Sequence, residues 1–228
     1  MDLIVSIIVA VVVIVAAFFY FKSVSSSPNI TIQSTISDGK KQVNSNIDIP
    51  YSVNQKQGMT FSYACWVKID DFAYRYGKQK VVFTKGSEDL ATMCPALFVD
   101  ANTNSLLVKL DTFGGVETIP ISNIPAKKWL HVALAVSQDA IDIYINGKLY
   151  EHHTLMNMPK QNTETVHTSV DGGFDGSIAS LEYYNYFLKP SDVSALMAQA
   201  PPVPDLTHKN GVGTLPPYFD ISWWTRHR

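Results

Sequence analysis

The stretch KKWLHVALAVSQDAIDIYINGKLYEHH, residues 127–153, decides the fold. Its apolar residues alternate with period two, the spacing of strands whose successive side chains point to opposite faces. Residues 129–136 are apolar on both faces, as a strand covered on two sides should be. Ser137, Gln138 and Asp139 make a first turn. In the next run Ile141, Ile143 and Ile145 share one face, with Asp142 and Tyr144 opposite. Asn146-Gly147 is a two-residue type I′ signal, because both central positions need positive φ. Residues 148–153 then return as the paired strand. The His, Asp, Tyr and Asn crowded here therefore read as frame. His131 is a packed strand histidine, and His152 and His153 point to opposite faces, so they do not chelate one metal together.

The same pattern extends in both directions. ITIQST is a first strand, and NIDIPYSV (46–53) alternates but contains Pro50, which predicts an edge or bent strand. MTFSYACWVKI places Phe61, Tyr63, Cys65 and Val67 on one face, with Thr60, Ser62, Ala64 and Trp66 on the other. KVVFTK, ALFVD, SLLVKL and VETIPI follow, with DANTNS as a polar hairpin connection. DGGFDG (171–176) feeds the last strong strand, SIASLEYYNY. PSDVSALMAQA (190–200) is the one soluble helix, with Pro in its first turn. Many short strands and a single short helix predict an all-β, antiparallel β-sandwich over residues 30–200.

The ends differ from this middle. Residues 3–21, LIVSIIVAVVVIVAAFFYF, carry no charge and are long enough as a helix to cross the ~30 Å hydrocarbon core. The region before them is only Met1-Asp2, and AFFYFKS offers no good small-x-small cleavage site, so the pattern favours a retained anchor over 1–22 rather than a cleaved signal. Lys22, Lys40 and Lys41 lie after the span and Asp2 before it, which predicts a cytosolic C-terminal domain. Residues 23–29 form a Ser-rich linker, and the sequon at Asn29 goes unused in that orientation. Residues 201–228 are a Pro-rich extended tail. Its Tyr218, Phe219, Trp223 and Trp224 are costly to leave wet and suit docking either in a partner's pocket, with Arg226 and Arg228 at the rim, or back on the chain's own domain.

Three segments carry a resemblance. IPAKKWLHVALAVSQDAIDIYINGKL is similar to the central hairpins of laminin-G-like, concanavalin A-type jelly rolls, GSIASLEYYNYFLKPSDVSAL to their closing segment, and FSYACWVKI to their early Trp-bearing strand. The resemblance implies two curved antiparallel sheets and leaves function open, since the fold hosts lectins, adhesion modules, glycosidases and structural proteins. One such domain behind an N-terminal anchor also resembles membrane-associated minor capsid proteins of large double-stranded DNA viruses. This implies a place between an internal membrane and a protein shell.

Glycosidases of this fold need paired carboxylates, usually as Glu-x-Asp-x-x-Glu. The glutamates at 88, 117, 151, 164 and 182 never have Asp two residues on. A net charge of −2 with no basic run argues against nucleic acid. Cys65 and Cys94 lack zinc spacing and read as small buried thiols. Many laminin-G-like domains hold calcium at a loop rim, and Asp171 and Asp175 are the candidate ligands; no other cofactor is expected. Tyr74, Arg75 and Tyr76 in DDFAYRYGKQK form a candidate loop for a carbohydrate or a protein. The expectation is a non-enzymatic tethering protein with membrane lipid at residues 3–21 and protein partners, capsid proteins among them. The alternative is a surface lectin or adhesion module.

Overall fold

The computed structural model describes residues 29–52, 59–199 and 201. The expected anchor and almost all of the expected tail, with Tyr218, Phe219, Trp223, Trp224, Arg226 and Arg228, lie outside the described residues. Among the described residues no helix is long and apolar enough to cross a membrane.

Among the described residues, thirteen strands and one α-helix follow in order: β1 (Asn29–Gln33), β2 (Ser37–Asp38), β3 (Val43–Asn44), β4 (Phe61–Asp71), β5 (Lys80–Gly86), β6 (Met93–Val99), β7 (Leu106–Thr112), β8 (Gly115–Ile121), β9 (Trp129–Val136), β10 (Ala140–Ile145), β11 (Lys148–Thr154), β12 (Val166–Thr168), β13 (Asp175–Tyr184) and α1 (Pro190–Ala198). They form two antiparallel sheets. One has seven strands in the order β1-β13-β4-β9-β10-β11, with β2 also on β13; the other runs β3-β12-β5-β6-β7-β8. This is the all-β antiparallel sandwich that the alternation predicts, with the jelly-roll-like form that the resemblance implies.

The core lies between the sheets and is built from period-two faces. Phe61, Tyr63, Cys65, Val67 and Ile69 of β4 meet Leu97, Val99, Val108 and Leu110 from the opposite sheet, and Ile141 and Ile143 extend the layer. The other face of the seven-stranded sheet is lined by Ala64, Ala133 and Ala135. Their small side chains let Leu188 and Val193, at and before α1, pack directly on the strands. That second cover is why β9 is apolar on both faces.

Two features depart from the sequence expectation. Residues 46–52 form no strand. Pro50 has no N–H to donate, and the segment's polar groups go elsewhere: Tyr183 Oη donates to the Pro50 carbonyl (3.0 Å), and the Ser52 N–H reaches Gln161 Oε1 (3.2 Å). Conversely, β12 is a three-residue strand inside an apparently polar loop, pairing with β5 and β3.

Candidate functional site

The ends of several strands converge on one rim. Asp71, the last residue of β4, pairs with Asp175, the first of β13, so the loop 72–79 and the loop 169–174 leave the same end of the sandwich. The β6–β7 connection joins them, since Gly77 N–H donates to the Ala101 carbonyl at 2.9 Å. Lys80, buried at the base of the rim, donates from Nζ to the Phe72 carbonyl (3.2 Å), and burial pulls its pKa down.

Sequence reasoning named two separate candidates here, and the fold makes them one site. Arg75 Nη2 lies 2.7 Å from Asp171 Oδ2, across 96 residues of chain. The guanidinium holds the Asp171 carboxyl below its ordinary range. Tyr74 Oη donates to the Gly172 carbonyl at 3.1 Å. Lys40, which sequence reasoning did not select, sits 4.8 Å from the Tyr74 ring centre and pairs with Asp175 at 2.9 Å. Its pKa is raised, first by the hydrogen bond to Asp175. Tyr76 stands free at the edge, 69% exposed. Arg75, Ser169 and Asp171 all hold left-handed φ values of 50–56°. Non-glycine residues hold that conformation only where their surroundings impose it, and such positions cluster at binding sites. Gly173, at φ 43°, has the Gly39 carbonyl 2.1 Å from where a Cβ would sit, so only glycine closes this turn.

The residues present do not fit a calcium ion. The expected ligands Asp171 and Asp175 each face a cationic side chain, and among the described residues no group of three His, Cys, Asp or Glu side chains gathers to hold a metal. The strand histidines behave as their register predicts. His152 Nδ1 contacts Asp142 at 2.5 Å on one face, and His153 Nε2 contacts Glu117 at 3.2 Å on the other.

A second exposed surface was missed. At the opposite end of the sandwich, Phe113 and Val116 of the β7–β8 hairpin are 66% and 52% exposed, beside Met156 at 88% and Met158 at 43%. Phe113 N–H donates to the Met158 carbonyl, and Met156 N–H to Glu117 Oε1, which ties these residues into one patch. Apolar residues inside DTFGGVE and LMNMP, both turn-like, were the available signal.

Two antiparallel sheets with a loop rim at one end define a jelly-roll-like sandwich. The chain belongs to the concanavalin A-like lectin/glucanases superfamily, whose laminin-G-type family profile matches residues 38–194. Among solved structures it is similar to the binding domain of botulinum neurotoxin serotype D (14% identity, TM-score 0.55, covering 75% of this chain and 41% of that one). It is also similar to the binding domain of Paraclostridial Mosquitocidal Protein 1 (15%, 0.55, 74% and 46%). A third is the binding domain of botulinum neurotoxin DC in complex with rat synaptotagmin II (14%, 0.53, 75% and 46%). The chain spans less than half the length of each, and at such identities the likeness is one of fold. No curated protein matches the chain.

Proposed function

We propose that this chain is a non-enzymatic, membrane-tethered binding protein whose sandwich engages a protein neighbour through the rim of Tyr74, Arg75 and Tyr76. The observation that carries the reading is the exposed Tyr76 beside the Arg75–Asp171 pair, on loops held by backbone and lysine contacts. Tyrosine and arginine are enriched in interface cores, and a pre-ordered loop loses little entropy on binding. Residues 1–22 hold the chain in a bilayer, and residues 201–228 reach a second protein through Trp223 and Trp224. That arrangement suits a minor capsid or membrane-associated component joining an internal membrane to a shell. Structural relatives that are binding domains support the use of this fold for recognition.

Hydrolysis is disfavoured by the surroundings of Glu182, the strand glutamate on the outer sheet face. Its recess is lined by Ala64, Trp66, His131, Ser180, Leu196 and Gln199, with no second carboxylate. Glycosidases need a pair about 5–9.5 Å apart.

The test is incorporation of the full chain into its membrane-bounded assembly. The double substitution Arg75→Glu, Tyr76→Ala should leave the protein in the membrane fraction after alkaline extraction yet abolish incorporation. Unchanged incorporation, or glycan binding lost with the same two side chains, would overturn the protein-contact reading.

A further inference from the structure

The recess around Glu182 lies away from the rim, on the sheet face that α1 covers. Register brings its walls together: Trp66 of β4 lies opposite His131 of β9 and Ala179 of β13, and Ala64 lies opposite Glu182. A bulge between Ala179 and Glu182, with Ser180 at φ 48°, interrupts the β13 edge of the recess. Leu196 and Gln199, at the end of α1, close the far side. The recess holds about 40 Å³, room for roughly three waters at ~10–15 Å³ each. A single small polar head fits.

Its chemistry is one-sided. Glu182 contributes a carboxylate, one oxygen of which accepts the Tyr184 hydroxyl. α1 ends here with no basic residue in its last turn, so its negative dipole end is uncompensated. The Trp66 indole lines the recess and packs against the His131 ring at 65°, ring centres 5.1 Å apart. His131 is only 2% exposed, and its Nδ1 has no hydrogen-bond partner. Burial depresses its pKa to about 4, so the ring is neutral and puts no positive charge on the recess wall. Among the residues lining the recess there is no lysine or arginine.

We infer that this recess is a binding site for a primary ammonium group, held by the Glu182 carboxylate and the Gln199 amide oxygen, with Trp66 and His131 as its walls. The group is either the tip of a lysine side chain presented by a partner or a free alkylamine. An ammonium group supplies three N–H donors and a compact charge, which match these acceptors. The site is independent of the rim and stands whether or not the rim binds protein.

The experiment is ¹⁹F NMR of the full chain in detergent micelles, labelled with 5-fluorotryptophan and with the Trp66 signal assigned by Trp66→Phe. Addition of n-butylammonium chloride should shift the Trp66 signal saturably, whereas tetramethylammonium chloride, which has no N–H, should not. Glu182→Gln should weaken the response roughly tenfold, as loss of about 1.4 kcal/mol does. Gln199→Leu, at the exposed helix end, should also weaken it and does not threaten the fold. N-acetyl-lysine methylamide distinguishes the sources: tighter binding than butylammonium marks a protein lysine, equal binding a free amine. No Trp66 shift with either amine, an equal shift with tetramethylammonium, or an undiminished shift in both variants would overturn the assignment.

Discussion

Cys65 and Cys94 show how far burial sets the behaviour of a side chain here. Both are free and buried in the core, and desolvation pushes each thiol up to about 12. Neither should react with a thiol reagent at neutral pH in the folded chain, and both should react after denaturation. A fast-reacting thiol in the native protein would contradict this. His131 makes a second prediction through linkage. Its pKa falls from 6.5 to about 4 on folding, so between those values the unfolded chain binds a proton that the folded chain does not. Stability therefore drops as pH falls through that window, by about 2 kcal/mol at pH 5. Urea unfolding at pH 7 and pH 5 should show the drop, and His131→Phe, which keeps an aromatic ring against Trp66, should flatten it. At the rim, Asp171 and Asp175 already face Arg75 and Lys40, so calcium should leave the melting temperature where chelator leaves it.

The β10–β11 hairpin was the most legible element, and the structure shows why. Asn146 and Gly147 adopt φ values of 50° and 78°, the pair a type I′ turn requires, and Asn146 Oδ1 accepts the His131 N–H at 3.0 Å. Gly147→Ala puts a Cβ in the left-handed region and 3.3 Å from Met197 of α1, so it should destabilise by about 1–2 kcal/mol. Thermal unfolding would show this, and an unchanged midpoint would argue against the turn. Strands with local signals of this kind were readable. β12 was not, because three residues flanked by polar chain have no period to detect. The 46–52 segment erred the other way: it alternates, but what it meets is a set of side-chain acceptors and donors rather than a partner strand.

For the whole molecule the limit of sequence reading is separation along the chain. Tyr74, Arg75 and Tyr76 were identifiable as aromatic and basic loop residues, and DGGFDG as an acidic turn. That Arg75 and Asp171 would meet depends on β4 pairing with β13, which no local pattern encodes. The ammonium recess is harder still, since it needs three strands in register and a helix end above them. The binding role of the rim is tested most directly by a photo-crosslinking residue in place of Tyr76, in the full chain within its native membrane assembly. The same residue in place of Ser191 on α1 serves as the control. The account predicts one discrete protein adduct from position 76 that disappears when Arg75→Glu is added. Absence of an adduct, or an identical adduct pattern from position 191, would contradict it.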